Sequence, residues 1–477
     1  MQPINLGKRS LFWMASEKGM IHTTLLLGSL FTLIPAVIST KGSINPAEFG
    51  PLLVIISLVI CMATLVNTDF GLSILVFSML LSPEVEAAHL PSRAVTIRIE
   101  DFLIIIVFFT WLAKMAIFKT GLIRRSLLNQ AVLLYVVSVT FSTLLAWQQG
   151  RLNGYGSYFY LLKYIEYFVV FFMFFNNVRS KEQVQRFLVY FLITGLCVCI
   201  YVLSTIGKYA RLGAPFEGDQ PEPGSLGGYL LVLMSVLFGL LLYSDWPRHR
   251  LIPVGLLILA IVTLIFSTSR GALIAFIPLY LAAVYLSPRR RVLLVGVFLC
   301  ALLFGYYFVP PHVIQWTLQA FQASAGGKAY SVGGRHVELG PSAVARVESV
   351  QYVFYLWKQK PIFGYGALGV GIVDSQLVRI LGETGVIGLS IFVYLLILIF
   401  KGAFKTFEST DPFIKGLGMA LVLTNTALIA QSTSANSYII VRIMEPFWFL
   451  VAITLGMSQL EEEALEKKED TGKLRVA

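Results

Sequence analysis

Long apolar runs alternate along this chain with short polar segments. Most runs approach the roughly 20 residues that an α-helix needs to cross the hydrocarbon core of a bilayer. The runs lie at residues 22–40, 50–66, 69–83, 101–117, 128–147, 158–176, 186–206, 226–243, 251–267, 271–286, 291–309, 386–400, 414–431 and 441–457. The pattern predicts an all-α polytopic membrane protein with about 12 to 14 transmembrane helices.

The composition indicates a lipid environment and argues against several other classes of protein. Hydrophobic residues make up 57% of the chain and charged residues only 13%, against about 45–50% and about 25% in soluble domains. The net charge of +11 is spread over short clusters between the apolar runs, so we expect no nucleic-acid partner. The four cysteines lie inside apolar runs and the five histidines are scattered. We therefore expect no disulfide framework, no metal site and no cofactor.

The distribution of basic residues predicts the orientation of the helices. If the N-terminus is cytoplasmic, nearly every cytoplasmic connection is short and holds two or three cations, as at Arg289, Arg290 and Arg291. The outer connections are longer and, apart from the large outer loop, hold only one or two cations each. The predicted organisation is eleven spans over 1–309, a large outer loop with amphipathic helices over 310–385, three spans over 386–457 and a cytoplasmic tail over 458–477.

Arg270 interrupts the apolar segment LIFSTSRGALIAF, residues 264–276. An arginine at the bilayer centre costs about 2.5–3.5 kcal/mol or more, so we expect this guanidinium at the outer membrane edge. Arginine binds phosphate oxygens in bidentate fashion, and the small neighbours Ser269 and Gly271 let a ligand approach closely. The alternative is an arginine that extends to the lipid head groups.

Other polar residues also fall on the predicted outer side. Lys208 and Arg211 open a loop rich in glycine and proline, where they are either interfacial anchors or ligands for an anionic substrate. Lys163 and Glu166 are three residues apart in the outer half of a span. This spacing favours a structural ion pair, and substrate contact is the alternative.

The large loop ends in GYGALGVGIVDSQLVRILGETGVIGL, residues 364–389. Its glycines allow tight turns or close approach of the backbone to a substrate. Asp374 and Ser375 precede a predicted helix, so Asp374 is either a helix N-cap or a general base. Arg379 and Glu383 lie within that helix at a spacing that favours an ion pair.

Three motifs in this order resemble the O-antigen ligase/polymerase (Wzy/WaaL) superfamily. They are TSRGA at 268–272, RVESVQYVFYLWKQKPIFGYG at 346–366 and DSQLVRILGETGVIGL at 374–389. The middle motif resembles the family's arginine-led helix followed by P-x-x-G-x-G. The last motif is similar to the family's H-N-x-x-L-x-x-L-x-E-x-G-x-x-G run, but Asp374 and Ser375 stand where ligases carry histidine and asparagine. This departure favours an exopolysaccharide polymerase-like branch.

The resemblance implies a polytopic, C-type glycosyltransferase-like enzyme in the bacterial inner membrane, with its active site facing the periplasm. Its implied substrates are glycans linked to undecaprenyl diphosphate, and a chain-length regulator protein is a possible partner beside the lipid bilayer. Family arginines that bind diphosphate correspond to Arg270 and Arg211, and Arg346 corresponds to the arginine of the loop helix. We expect Asp374 to act as base, with Ser375 beside it.

The expected reaction moves a glycan from the lipid diphosphate to a hydroxyl of a lipid-linked repeat unit, with inversion and without a metal ion. Two alternatives remain at this stage. One is transfer of the glycan to lipid A core or to protein, as in a ligase. The other is a transporter or flippase for lipid-linked sugars, although no internal repeat of the kind common in transporters is evident.

Overall fold

The computed structural model describes residues 58–82, 84–90, 93–119, 123–152, 156–208, 212–215, 222–247, 249–308, 328–332, 335–339, 341–371 and 373–476. Its helices are α1 Thr68–Leu81, α2 Ile99–Phe118, α3 Asn129–Gln148, α4 Gly156–Asn177, α5 Lys181–Ser204, α6 Pro223–Tyr243, α7 Leu251–Phe266, α8 Arg270–Leu286, α9 Arg291–Phe308, α10 Pro341–Gln359, α11 Gln376–Phe407, α12 Pro412–Gln431 and α13 Val441–Val476. A 3₁₀ turn, Pro288–Arg290, joins α8 to α9.

The all-α polytopic fold predicted from the apolar runs is confirmed. From 69–83 onward each run forms a helix with similar ends, except that 386–400 and 441–457 lie inside the longer helices α11 and α13. Run 22–40 lies outside the described residues, and residues 58–66 of run 50–66 are helical.

The described helices that are long and apolar enough to span a membrane are fewer than the predicted 12 to 14. Seven of the described helices are of this kind, namely α3, α4, α5, α6, α11, α12 and α13. The pair α8 and α9, bent by 101° at the 3₁₀ turn, would be an eighth. This number is below the predicted 12 to 14 because α1 and α7 are shorter apolar helices and part of the chain lies outside the described residues.

Two predicted outer loops contain β-hairpins that the apolar pattern did not indicate. Strand β1, Glu84–Leu90, pairs antiparallel with β2, Arg93–Arg98. Strand β3, Lys328–Val332, pairs antiparallel with β4, Arg335–Leu339. The large outer loop therefore combines a hairpin with the amphipathic helix α10.

The chain divides into two compact units. The first contains the described parts of Met1–Arg124, Val169–Val198 and Ala214–Gln220. In it, Asp69 lies 3.7 Å from the Arg186 guanidinium and accepts a hydrogen bond of 2.8 Å from the Gln183 amide. The second contains the described parts of Arg125–Phe168, Cys199–Gly213 and Pro221–Ala477, and it holds α6 to α13.

Helix α6 is the central element of the second unit, and almost all of it is buried. Glycines allow its neighbours to approach closely. A Cβ atom at Gly239 would overlap the backbone oxygen of Gly416 on α12, and one at Gly227 would overlap Ala272 on α8. Close contact of this kind, through small residues, is how helices associate inside a membrane protein.

Helix α10 packs through one side on the segment that follows it. Val353 is fully buried against Tyr365, Val370 and Val373. The helical spacing of the apolar residues Val347, Val350, Phe354 and Trp357 predicts an apolar side that includes Phe354. The Phe354 side chain is 41% exposed, however, and the buried side of α10 runs through Val353.

A break in α11 is the most unusual backbone feature of the second unit. Gly385 has φ +67° and ψ −165°, so the helical hydrogen bonds are interrupted there. The turn at residues 361–366 supplies the missing partners. Val386 N–H donates to the carbonyl oxygen of Pro361 at 2.9 Å, and Tyr365 N–H donates to that of Gly382 at 3.0 Å. Backbone from outside the helix therefore supplies partners at the break, as burial in a membrane protein requires.

The Arg379–Glu383 pair fixes the same junction. Arg379 Nε lies 2.8 Å from Glu383 Oε1, and the side chains are only 3% and 2% exposed. Glu383 Oε1 also accepts a hydrogen bond of 2.9 Å from Leu368 N–H, while the guanidinium lies 5.2 Å from the centre of the Tyr160 ring. The pair thus joins α11 to the glycine-rich loop before it and to α4.

Replacement of Gly385 by alanine tests the break. We expect Gly385→Ala to lower the thermal unfolding temperature of the purified protein, because alanine is strained at φ +67° by about 1–3 kcal/mol and its Cβ would overlap the Ile362 carbonyl. Gly255→Ala is the matched control, since nothing lies within 4 Å of a Cβ at Gly255. Equal unfolding temperatures for the two variants would contradict this role.

The buried ion pair gives a second stability prediction. Glu383→Ala leaves the Arg379 charge buried without its partner, which costs about 3–5 kcal/mol. The double variant Glu383→Leu with Arg379→Met removes both charges and should recover most of that loss. A double variant as unstable as Glu383→Ala in the same thermal unfolding measurement would show that the charges themselves are not the cause.

Candidate functional site

Arg270 lies at the start of α8, directly after a tight turn that follows α7. Thr268 in this turn has a left-handed backbone with φ +55°, an uncommon conformation for a residue other than glycine. Ser267 Oγ accepts a hydrogen bond of 3.3 Å from Ser269 N–H. Ser269 is the N-cap of α8, is 7% exposed and makes no side-chain cap hydrogen bond. The turn therefore leaves the first N–H groups of α8 without a side-chain cap.

A cavity of about 350 Å³ opens at this helix start. We call it the Arg270 cavity. It is lined by Pro223, Gly224, Thr268, Ser269, Arg270, Gly271, Arg346, Gln431, Ser434 and Ala435. The residues come from the N-terminal ends of α6 and α8, from the C-terminal end of α12 and from α10. The tertiary structure thus brings the guanidinium groups of Arg270 and Arg346 to one space.

Close packing holds the helix ends around the cavity. Gln431 Nε2 donates a hydrogen bond of 2.9 Å to the Gly224 carbonyl and so ties α12 to the start of α6. A side chain at Gly271 would overlap Ser434 Oγ, and a side chain at Gly228 would overlap Gln431. Small residues at these positions are therefore needed for the helix ends to meet.

The electrostatics of the cavity favour an anion. Two arginines contribute positive charge, and α6 and α8 both begin there without a side-chain cap. The N-terminus of a helix carries a partial positive charge and binds anions such as phosphate. The C-terminus of α12 has the opposite sign, but its Gln431 carbonyl already accepts hydrogen bonds from Ser434 N–H and Ala435 N–H. The positive charge of the two arginines and the two helix N-termini therefore outweighs the negative end of α12.

Asp374 and Ser375 lie near the cavity but do not line it. Ser375 is the N-cap of α11, so the interpretation of Asp374 as the N-cap is wrong. Asp374 is exposed, one position further out along the chain. Gln376 N–H donates to the Ser432 carbonyl at 2.9 Å, which places the start of α11 next to the α12 end that lines the cavity.

Among the other predicted site residues that the structure describes, Lys208, Lys163 and Glu166 do not line the cavity. Arg211 lies outside the described residues. Lys208 is exposed in the turn after α5, where its N–H donates to the Thr205 carbonyl at 3.0 Å. Lys163 Nζ and Glu166 Oε2 form the ion pair that their spacing predicted, at 2.8 Å on α4.

Sequence reasoning missed several polar residues at this end of the unit. Glu222 is the N-cap residue of α6 and directly precedes cavity-lining Pro223, and its Oε2 accepts a hydrogen bond of 3.1 Å from Ser225 Oγ. Arg442 and Glu445, near the start of α13, are 1% and 0% exposed. The sequence did carry a signal for these two residues, because opposite charges three positions apart in the apolar run 441–457 are unusual. By contrast, nothing in the sequence around Gln431 or Ser434 indicates a cavity.

Among the described residues, no three histidine, cysteine or acidic side chains converge to hold a metal ion. The Arg270 cavity itself offers arginine side chains and helix N-termini, with the carboxylates of Glu222 and Asp374 nearby. Such a site can bind a phosphate or diphosphate and stabilise negative charge that develops on it.

The part of the chain that contains the Arg270 turn and α10 matches a known protein family. Residues 255–393 match the family described as O-antigen ligase. The matched region runs from α7 through the Arg270 turn and α10 to the broken helix α11. No curated protein matches the chain. The match at residues 255–393 supports the resemblance of this polytopic membrane protein to the O-antigen ligase/polymerase superfamily of glycosyl-transfer enzymes.

Proposed function

We propose that the protein is a polysaccharide polymerase of the bacterial inner membrane, with its active site facing the periplasm. It transfers a glycan chain from undecaprenyl diphosphate to a hydroxyl group of a lipid-linked repeat unit. The observation that supports this most is the Arg270 cavity, where Arg270 and Arg346 meet at the uncapped starts of α6 and α8.

The leaving group explains why arginines are needed. When the bond between the sugar and the diphosphate breaks, negative charge grows on the phosphate oxygens. Guanidinium groups that are already in place stabilise this charge without reorganisation, and removal of one such donor typically lowers the rate about 10²–10³-fold. The cavity volume of about 350 Å³ is within the range of small-molecule sites and suits a diphosphate with its first sugar. Arg211, which the sequence predicts to lie in an outer loop, remains a further candidate.

The acceptor hydroxyl needs a base on the side of the sugar opposite the diphosphate. Asp374 is the proposed base because it is exposed and lies two residues before Gln376, whose N–H binds the Ser432 carbonyl at the α12 end of the cavity. Attack from that side inverts the anomeric centre. Ser375 is available for hydrogen bonding to the sugar, and no step requires a metal ion. Glu222 is the alternative base, since it adjoins the cavity from α6.

A ligase is the second candidate, and the name of the matched family favours it. The polymerase is preferred because Asp374 and Ser375 occupy positions where the similar ligase motif has histidine and asparagine. The acceptor distinguishes the two enzymes. A polymerase extends a lipid-linked repeat, whereas a ligase moves the finished glycan to a different acceptor.

The central test is Arg270→Lys in the purified enzyme, given a lipid-linked repeat unit in vesicles with EDTA present. We expect the wild type to produce a ladder of chain lengths and the variant to be slower by about 10²-fold, because an ammonium group cannot form the bidentate contact. Arg250→Lys is the matched control, since Arg250 forms an exposed pair with Asp245 at the other end of α7. A wild-type ladder from Arg270→Lys would remove Arg270 from the site. Conversion only when a non-repeat acceptor is added would identify a ligase.

The base is tested with Asp374→Asn and Glu222→Gln in the same assay. A general base contributes about 10²–10⁴-fold, so we expect Asp374→Asn to stop chain growth while its thermal unfolding temperature stays unchanged. Glu222→Gln should retain most activity. The opposite result, with only Glu222→Gln inactive, would transfer the role of base to Glu222.

A further inference from the structure

A second cationic cluster lies at the far end of α10. Arg151, from the connection between α3 and α4, places its guanidinium carbon 5.5 Å from the centre of the Tyr365 ring. Lys360, just after α10, places its Nζ 5.4 Å from the centre of the same ring. Lys360 Nζ also donates a hydrogen bond to Gln149 Oε1. Two cations from separate segments therefore share one aromatic ring.

This arrangement holds two like charges together. Among the described residues, no carboxylate forms an ion pair with Arg151 or Lys360. Burial and the neighbouring Arg151 charge lower the pKa of the Lys360 ammonium. An anion bound near both cations would reduce their repulsion and accept hydrogen bonds from their side chains.

The cluster adjoins an apolar surface that continues the exposed side of α3. Phe363, two residues before Tyr365, packs on Phe141 of α3 with ring centres 5.1 Å apart. Phe141 is 45% exposed. Ile362 and the neighbouring apolar side chains on α3 are exposed to a similar or higher fraction. In a membrane protein such a surface faces lipid, so the two cations lie where the head group of a lipid would be.

The distance from the Arg270 cavity is set by α10. Arg346 lines the cavity from the first half of this helix, and Lys360 follows the helix end. The rise of about 1.5 Å per residue separates these two positions by about 20 Å. A second phosphate group bound at Lys360 would thus be well clear of the first, at a separation that an oligosaccharide of several sugars can bridge.

We propose that Arg151 and Lys360 bind the diphosphate of the acceptor, the lipid-linked repeat unit that receives the glycan. The proposal rests on the polymerase function, since only a polymerase requires two substrates that each carry a lipid diphosphate. The Arg270 cavity holds the donor, and the acceptor chain extends from the second site toward Asp374. No bond forms or breaks at Arg151 or Lys360, so they are binding residues rather than catalytic ones.

Native mass spectrometry of the purified full-length protein with undecaprenyl diphosphate counts the two sites without any reaction. We expect the wild type to bind two molecules, and the double variant Arg151→Gln with Lys360→Gln to bind one. Arg270→Gln should also bind one. Lys358→Gln, which removes an exposed charge two residues from Lys360, should still bind two. Lys360→Arg should keep the second molecule, because it retains the charge.

Kinetics of a single transfer between labelled donor and acceptor provide the second readout. The double variant should raise the KM for the acceptor about tenfold or more, the effect of losing charge-assisted hydrogen bonds, with little change in kcat or in the KM for the donor. A structural role would instead change the unfolding temperature and both KM values together.

Several results would overturn the proposal. These are a wild type that binds only one molecule, a double variant that still binds two, or displacement of the second molecule by an equal amount of phosphatidylglycerol, which would identify a general phospholipid site. A wild type that binds two molecules but forms no ladder from lipid-linked repeats would refute the polymerase function instead, so the two failures are distinguishable.

Discussion

The junction between the break in α11 and the turn at 361–366 determines the arrangement of the second unit. A helix that is interrupted inside a membrane protein exposes backbone groups that lipid cannot satisfy. Here Val386 N–H and the Gly382 carbonyl find partners in the turn, and the single hydroxyl proton of Ser142 on α3 lies between the carbonyls of Phe363 and Glu383, which share it. The turn and the helix thus satisfy each other's backbone groups. The glycine-rich loop, the start of α11 and the end of α10 are consequently held in one fixed relation.

Arginine serves two different purposes in this unit. Arg379 is almost completely buried and is neutralised by Glu383 on its own helix, so its charge contributes to structure. Arg270 and Arg346 instead line a cavity at the starts of two helices. An anion that binds there meets cationic groups that are already in position. This is the physical basis of catalysis by preorganised charge. The surroundings of each guanidinium, rather than the residue type, decide which purpose it serves.

Helix α10 links the two ends of the proposed reaction site. Its first half supplies Arg346 to the Arg270 cavity, and the residue after its last turn is Lys360 beside Arg151 and Tyr365. The helix is anchored through Val353 to the loop that leads to Asp374. In a polymerase this arrangement would keep donor and acceptor diphosphates at a constant separation while each new repeat unit enters from the membrane.

The sequence by itself determined the helices and the residues that act over short range. Apolar length sets where a span begins and ends, and spacing along one helix is sufficient for the Lys163–Glu166 and Arg379–Glu383 pairs. Arg270 was recognisable because a charged residue between two apolar runs is costly in the bilayer centre and is therefore expected at the membrane edge. Only the tertiary structure decided the rest. It joined Arg346, Gln431 and Ser434 to Arg270, placed Ser375 rather than Asp374 at the N-cap of α11, and broke α11 at Gly385, directly before the apolar run 386–400. These features depend on partners far away in the chain, and the apolar periodicity of a segment carries no information about which distant backbone or side chain will meet it.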